Sequence, residues 1–216
     1  VSLSASLEDL RRRPVDVARL IDVFSEFELH SLVEEFMPEP AEQAANEDYT
    51  VVSDEAALRT VAAEMRRAGT FAVDTETTSV DPMRAELVGI SLCCAPGRAY
   101  YVPVGHRAPG APGELEGLDA PGPLNQMDCA AALEILRPIL EDGSVKKIGH
   151  NIKYDLEVLS RAGIALGGIV LDTMVASYLT DPSRLRHNLS EVSLYYLKRK
   201  MIPIADLIGK GSRQIT

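Results

Sequence analysis

The sequence predicts a mixed α/β domain in which a three-strand antiparallel meander is followed by parallel strand–helix units, with helices flanking the sheet. Three β-prone runs with short connections, at 71–76, 87–94 and 99–104, predict the meander. Strand-like and helical segments then alternate from residue 147 onwards, which is typical of parallel pairing. With 216 residues and 46% apolar content, the chain is long enough to bury a core beneath such a sheet.

The N-terminal part of the chain is predicted to be helical and acidic. An apolar period over 7–37 predicts helices. The segment 38–48 is acidic, contains two prolines and has no apolar period, so we expect a flexible linker. A short strand at 49–52 and a helix at 54–67, ended by Gly69, are expected to follow.

Turn residues separate the elements in the middle of the chain. An Asp-Pro pair at 81–82 and a Pro-Gly pair at 96–97 predict the two turns of the meander. The segment 105–123 is rich in Gly and Pro and is expected to be a surface loop. A helix is expected at 127–140, with Asp128 as its cap.

The last part of the chain contains two strand–helix units and one more helix. The units are expected at 147–161 and 168–179, and Asp172 is expected to cap the helix of the second unit. Asn188 begins an Asn-x-x-Glu capping box, which predicts a helix over 189–199.

Two carboxylates follow the apolar start of the first meander strand. Asp74 and Glu76 are two residues apart, so the period of a strand sends both side chains to the same side. Like charges this close repel one another unless protons or a cation neutralise them, and oxygen ligands suit Mg²⁺ or Mn²⁺. The chain has 32 acidic residues, so an Asp-x-Glu pair also arises by chance on a solvated face. The pair therefore predicts a metal site only together with other residues.

A second polar motif follows the strand that ends near residue 149. Asn151 is expected to cap the helix 152–161, and Asp155 lies one turn along that helix. A carboxylate in a first helical turn is also favoured by the helix dipole and can be a plain exposed residue. Its spacing from Asn151 favours a functional interpretation.

Together the two motifs resemble the proofreading 3′→5′ exonuclease domain of bacterial DNA polymerase I. Asp74-Thr75-Glu76 is similar to the first motif of that family, Asp-x-Glu, and the segment from Asn151 to Asp155 is similar to the second, Asn-x-x-Tyr/Phe-Asp. The resemblance implies a ribonuclease-H-like fold. It also implies hydrolysis of the 3′-terminal phosphodiester of DNA with release of nucleotide monophosphates. Two Mg²⁺ or Mn²⁺ ions, held by Asp74, Glu76 and Asp155, would assist this reaction.

The resemblance further implies contacts with the terminal nucleotides of a DNA strand. Val80 stands where the family places an aliphatic wedge against the terminal base, and Arg186 aligns with a phosphate-contacting arginine near a helix N-terminus. Plainer interpretations are an apolar loop residue for Val80 and a solvated lysine for Lys153. His150 and His187 are not expected to be ligands. The residues implied to bind nucleic acid are Thr75, Val80, Asn151, Lys153, Tyr154 and Arg186.

One motif of the family is missing from these 216 residues. The family carries a third motif, Tyr-x-x-x-Asp, after a Gly-Lys-Gly segment that this sequence has at 209–211; Tyr178 to Asp181 is one residue too short to match it. We therefore expect the chain by itself to be weakly active or inactive. Because it begins with Val1, and because 1–37 resembles the end of the 5′-nuclease domain that precedes the exonuclease domain, we expect a piece of a longer polymerase.

Charge and composition limit the class of protein. The net charge is −10, but residues 1–60 carry 14 acidic against 5 basic residues, whereas residues 141–216 carry 8 against 11. The basic character expected of a nucleic-acid-binding surface is thus confined to the C-terminal part. The sequence has no apolar run near the ~18 residues that span a bilayer, and its three cysteines lack zinc or disulfide spacing. We expect a monomeric, cytoplasmic, nucleoid-associated protein whose partners are single-stranded or frayed DNA 3′ ends and the rest of a polymerase chain, and not a membrane.

Two other functions fit the same motifs. An exoribonuclease similar to ribonuclease D would share the metal site and differ in its substrate contacts. A non-cutting structural or DNA-binding domain with an exonuclease-like fold would be expected to lose its acidic residues, whereas Asp74, Glu76 and Asp155 are all present here.

Overall fold

The computed structural model describes residues 11, 14–27, 29–37, 48–106 and 125–203. Its strands are β1 (Asp48–Val51), β2 (Thr70–Thr77), β3 (Leu87–Ala95), β4 (Arg98–Pro103), β5 (Lys146–Gly149) and β6 (Ile169–Asp172). Its helices are α1 (Val17–Glu26), α2 (His30–Phe36), α3 (Glu55–Ala68), α4 (Cys129–Leu140), α5 (Ile152–Arg161), α6 (Thr173–Thr180) and α7 (Leu189–Val192). A π-helical turn, Ser193–Leu197, continues from α7.

The six strands form one mixed sheet in the order β1-β4-β3-β2-β5-β6. β2 pairs antiparallel with β3, and β3 with β4, which confirms the predicted meander. β5 pairs parallel with both β2 and β6, as the strand–helix alternation predicts. β1 adds a parallel pair with β4 at the opposite edge. The predicted fold class, a mixed sheet flanked by helices, is therefore confirmed.

The register of β5 leaves one edge of β2 open. β5 accompanies β2 only over Thr70, Phe71 and Ala72, whereas β3 follows β2 as far as Thr77. The last residues of β2 thus have β3 on one side only. The helix that follows β5, α5, can approach them from the other side.

Alternation along β2 decides which residues are buried. Phe71 and Val73 are 0% and 2% exposed and join one core with residues from α3 and α4. The helical members of this core include Leu58, Met65, Leu136 and Leu140. Asp74 and Glu76 lie on the opposite, exposed face. The apolar period of β2 therefore turns both carboxylates away from the core.

Two predicted helices need correction. The helix expected at 127–140 begins at Cys129, because Asp128 is its N-cap and accepts the N–H of Ala131 at 3.0 Å. The helix expected at 189–199 is α-helical only as far as Val192, and the π-helical turn that follows ends at Leu197. Lys198 adopts a left-handed conformation, with φ of 51°, which takes the chain out of the helix.

The N-terminal helices pack on the C-terminal part of the described chain. Ile21, Val33 and Met37 are buried together, and Leu194 of the π-helical turn packs against them. Helices are thus confirmed within the described part of 7–37. The resemblance of this hairpin to the end of a nuclease domain stays a prediction.

Several predictions fall on residues that the structure does not describe. These are the linker over 38–47, the loop over 107–123 and the Gly-Lys-Gly segment at 209–211. Asp48, predicted as the last linker residue, belongs instead to β1, where its N–H donates to the carbonyl of Gly97 at 2.8 Å. Among the described helices, none has the length and apolar content needed to cross a membrane.

Candidate active site

Near the end of β2, two carboxylates lie opposite small residues of the neighbouring strand β3. Asp74 lies opposite Ser91 on β3, and Glu76 lies opposite Gly89. Directly opposed residues in an antiparallel pair point to the same face, so no bulky β3 side chain stands beside either carboxylate. The prediction that Asp74 and Glu76 share one face is confirmed by the exposure pattern of the strand.

The third carboxylate is held against the same strand by Thr75. One carboxylate oxygen of Asp155, Oδ1, accepts the backbone N–H of Thr75 at 2.8 Å and its hydroxyl at 2.6 Å. Asp155 is only 2% exposed. Thr75 lies between Asp74 and Glu76, so α5 brings the third carboxylate to the strand segment that carries the other two. Burial raises the pKa of Asp155, against the two Thr75 hydrogen bonds that lower it.

The surroundings of the three carboxylates raise the pKa of Asp74. Loss of surrounding solvent, then the charge of Asp155, then that of Glu76, raise the pKa of Asp74 to about 7. The ionised form of Asp74 is therefore less favourable than that of an ordinary aspartate. A cation bound here would relieve the repulsion, so the chemistry of the donor set fits a hard divalent cation.

The side chains do not form a ready-made metal cluster. Within the described ranges, no three Asp, Glu, His or Cys side chains stand close enough together to hold an ion. The charges of Asp155 and Glu76 both raise the pKa of Asp74, and the role of the three carboxylates as metal ligands stays a prediction.

Asn151 begins α5 in an unusual way. Its backbone is left-handed, with φ of 61°, a conformation that Asn tolerates better than most residues. The prediction that Asn151 caps the helix is right in position, but its side chain accepts no helix N–H; instead it accepts a bond from the ammonium of Lys153. The backbone N–H of Asn151 donates to Asp172 Oδ1 at 2.9 Å. Asp172 also caps α6, as predicted.

The other predicted nucleic-acid contacts lie on α5, on the loop after β2 and on the segment before α7. Tyr154 donates its hydroxyl to the carbonyl of Ser79 on the loop after β2. Val80, on the same loop, is 96% exposed. Arg186 lies apart, before α7, with its guanidinium 3.8 Å from Glu191. The hydroxyl of Thr75 is buried and donates to Asp155, and the predicted contact of Thr75 with nucleic acid stays a prediction.

The sequence did not indicate that Tyr101 belongs near the site. Its ring lies across Gly89, where an added Cβ would meet the hydroxyl oxygen at 2.0 Å. Burial first, and then the charge of Glu76, raise the pKa of Tyr101. Its hydroxyl lies 2.6 Å from Nε2 of His106. A glycine inside a strand indicates a close approach of other atoms, and this was the available signal.

His150 and His187 each form a hydrogen bond with a hydroxyl group of α6. Nδ1 of His150 lies 2.9 Å from Oγ1 of Thr173, and Nδ1 of His187 lies 2.9 Å from Oγ of Ser177. Burial lowers the pKa of His150. These contacts join α6 to the start of α5 and to the segment before α7.

Comparison with known proteins identifies the group to which these motifs belong. A sequence model of the family described as 3′-5′ exonuclease matches residues 49–216. The chain is 33% identical to DNA polymerase I of Pseudomonas aeruginosa over 100% of its own length and 24% of that protein. It is 36% identical to DNA polymerase I of Chloroflexus aurantiacus over 82% of its own length and 17% of that protein. The chain thus spans about a quarter or less of these relatives.

Solved structures support the fold. A Trypanosoma brucei RNase D in complex with GMP superimposes with a TM-score of 0.55, covering 74% of this chain and 44% of that one, at 14% identity. A likeness at this identity concerns the fold alone. It agrees with the ribonuclease-H-like arrangement of the sheet.

Proposed function

Because the chain belongs to the family of 3′-5′ exonuclease domains found in DNA polymerase I, we propose that its carboxylate site hydrolyses the 3′-terminal phosphodiester of a DNA strand and releases nucleotide monophosphates. DNA as the substrate and a proofreading role within a longer polymerase are part of this proposal. The observation that carries it is the pair of bonds from Thr75 to Asp155, which ties the second motif to the first.

Three acidic residues would hold the divalent metal on which such an exonuclease depends. Asp74, Glu76 and Asp155 offer oxygen ligands of the kind that Mg²⁺ prefers, and Mn²⁺ accepts the same ligands. When bound, the metal neutralises negative charge on the attacking and leaving oxygens. Because the pKa of Asp74 is about 7, this carboxylate holds a proton for part of the time at neutral pH and must release it to act as a ligand.

Other residues of the chain would hold the strand end. Lys153 is exposed at the start of α5, where its ammonium can turn from Asn151 to a phosphate. Val80 is free to contact the terminal base, and Arg186 can contact a phosphate further along the strand. Tyr154 holds the backbone beside Val80, so it would act on the strand end through the loop as well as by contact.

The relatives favour this proposal over its two rivals. The similar proteins of known sequence are named DNA polymerase I, whereas the likeness to RNase D is one of fold. A scaffold that no longer cuts would have no need for Asp155, because burial disfavours this carboxylate even with its two hydrogen bonds from Thr75. The retained carboxylates therefore support a cutting enzyme.

Calorimetric titration with Mg²⁺ and Mn²⁺ tests the metal site directly. We expect Asp74→Asn and Asp155→Asn each to weaken binding by more than about tenfold, since each removes a charged ligand. Asp22→Asn, the same change on α1, is the control and should bind as the wild type does. Unchanged binding in Asp155→Asn would contradict the proposed site.

Nucleotide release decides the substrate. Release from 3′-labelled single-stranded DNA and from RNA of the same sequence is measured at one protein concentration with Mg²⁺. We expect a higher rate with DNA, and the ratio of the two rates is informative even where both are low. A preference for RNA would favour the ribonuclease D alternative.

A further inference from the structure

The loop between β2 and β3, residues 78–86, is held in one conformation by its own hydrogen bonds. The N–H of Thr78 donates to the carbonyl of Glu86 at 3.0 Å, and the N–H of Glu86 donates to the hydroxyl of Thr78 at 3.0 Å. Inside this closure the carbonyl of Asp81 accepts the N–H groups of Arg84 and Ala85 at 3.0 and 2.9 Å. The loop is therefore a closed turn structure and not an open connection.

Helix α5 fixes the loop from outside at two points. At one end, Tyr154 donates its hydroxyl to the carbonyl of Ser79. At the other end, Nη1 of Arg161 donates to the carbonyls of Pro82 and Ala85 at 2.9 and 2.7 Å. The same helix delivers Asp155 to Thr75. One rigid helix thus sets both the third carboxylate and the loop that carries Val80.

This arrangement fixes an apolar side chain in the solvent. Val80 is 96% exposed, its neighbour Ser79 accepts a bond from Tyr154 of α5, and Asp155 is a residue of the same helix. Ordering a loop costs conformational entropy. An exposed valine contributes no hydrophobic stabilisation in the free protein that would offset this cost. The order becomes useful when a ligand meets Val80, because a preorganised contact loses less entropy on binding.

We propose that Arg161 is a positioning residue for the 3′-terminal nucleobase: it anchors the loop so that Val80 meets that base at a fixed distance from Asp155. The inference rests on the proposed exonuclease function. Nη1 of the Arg161 guanidinium is bonded to two carbonyls of the loop, so the residue acts on the strand end through the loop, and the salt dependence below tests this against a direct phosphate contact.

The test measures binding of a single-stranded oligonucleotide that carries 2-aminopurine as its 3′-terminal base and a phosphorothioate as its last linkage, which slows hydrolysis. We expect Arg161→Met to weaken binding by about three- to tenfold and to reduce the fluorescence change of the terminal base, since hydrogen bonds from a charged donor are lost. Arg161→Lys should stay within about twofold of the wild type, because one nitrogen makes both bonds and an ammonium has three donors. Arg59→Met is the matched control, because this exposed arginine pairs with Glu55 of its own helix, at 3.2 Å.

Three further measurements separate positioning from a direct phosphate contact or a general loss of stability. If Arg161 acts through Val80, the two substitutions remove the same contact. The double variant Val80→Ala/Arg161→Met then has the same affinity as the single variant that binds the oligonucleotide less tightly. A positioning residue leaves the salt dependence unchanged, whereas loss of a phosphate contact reduces the slope of log K against log salt by about 0.7 for a single strand. Amide exchange should accelerate at 79–85 and not in β2.

The outcomes distinguish this inference from the proposed function. Wild-type binding with no preference for the 3′ end and no dependence on a divalent cation overturns the proposed function, and this inference with it. If the wild type shows both features, three results overturn the inference alone. These are unchanged binding in Arg161→Met, multiplicative losses of affinity in the double variant, and a reduced salt slope in Arg161→Met.

Discussion

The two sides of the candidate site differ in how firmly the fold holds them. On the carboxylate side, Asp155 is 2% exposed and receives two hydrogen bonds of 2.8 and 2.6 Å from Thr75. On the C-terminal side, Arg186 has a side chain that is 70% exposed, and its partner Glu191 lies 3.8 Å away. The C-terminal segment also exposes Leu185 almost completely.

This difference separates two kinds of function. Groups that must be placed to a fraction of an ångström are built into the sheet and the helix that packs on it, where packing fixes their positions. Groups that only need to reach a charged strand lie on exposed segments, where a long side chain can adapt. Substitutions on the carboxylate side should therefore change stability and metal binding together, and those on the C-terminal side should change strand binding alone.

The largest effect is expected from Thr75→Val. The valine fits the strand but removes the hydroxyl bonded to Asp155, leaving a buried carboxylate with one bond fewer on Oδ1. We expect a loss of about 2 kcal/mol in the free energy of unfolding, since hydrogen bonds to charged groups are stronger than neutral ones. Urea unfolding measures this loss, and calorimetry should show weaker Mg²⁺ binding in the same variant.

Thr50→Val on β1 is the matched control. Its hydroxyl donates to the exposed Asp48, at 3.2 Å, so the expected change is within about 0.5 kcal/mol. Equal losses in the two valine variants would remove the distinction between a preorganised and an adaptable side of the site.

A smaller effect is expected from the titration of Asp74. The pKa of Asp74 is about 7 in the folded chain, above its ordinary value of 3.8. At a pH between these two values, the folded state holds a proton that the unfolded state has lost. Stability therefore falls as pH rises through this window. Part of the side chain is open to solvent, which screens the effect, so we expect a loss of about 1 kcal/mol.

The measurement is urea unfolding from pH 5 to 8 with a chelator present. The lowered pKa of His150 gives the opposite slope in this range, so the quantity of interest is the difference between wild type and Asp74→Asn. We expect the asparagine variant to gain stability relative to the wild type as pH rises. A constant difference across the range would show that Asp74 ionises normally.

Local patterns predicted the residues that form the site but not the contacts that hold it. Alternation placed Asp74 and Glu76 on one face, and the motif after β5 placed Asp155 on a helix. The bond between Thr75 and Asp155 joins residues 80 positions apart, and it depends on where β5 leaves β2. No local pattern encodes that register. The left-handed Asn151, held by Asp172, depends on a long-range contact in the same way.

The same limit applies to the loop after β2. Its turn residues predicted a turn, and the family resemblance drew attention to Val80. The sequence does not predict the anchoring by Arg161, because an arginine at the end of an amphipathic helix is usually explained by the helix dipole or by solvation. The two carbonyls that it binds lie 79 and 76 residues away in the sequence.

The smallest effect on stability, and a clear effect on binding, are expected from Arg186→Gln. Because the side chain is 70% exposed and its pair with Glu191 is long, the free energy of unfolding should change by less than about 0.5 kcal/mol. If Arg186 contacts a phosphate, the affinity for single-stranded DNA falls and the slope of log K against log salt decreases by about 0.7. Fluorescence anisotropy at several salt concentrations measures both quantities. An unchanged slope, or a stability loss as large as that of Thr75→Val, would mean that the C-terminal side is organised like the carboxylate side and is not an adaptable surface.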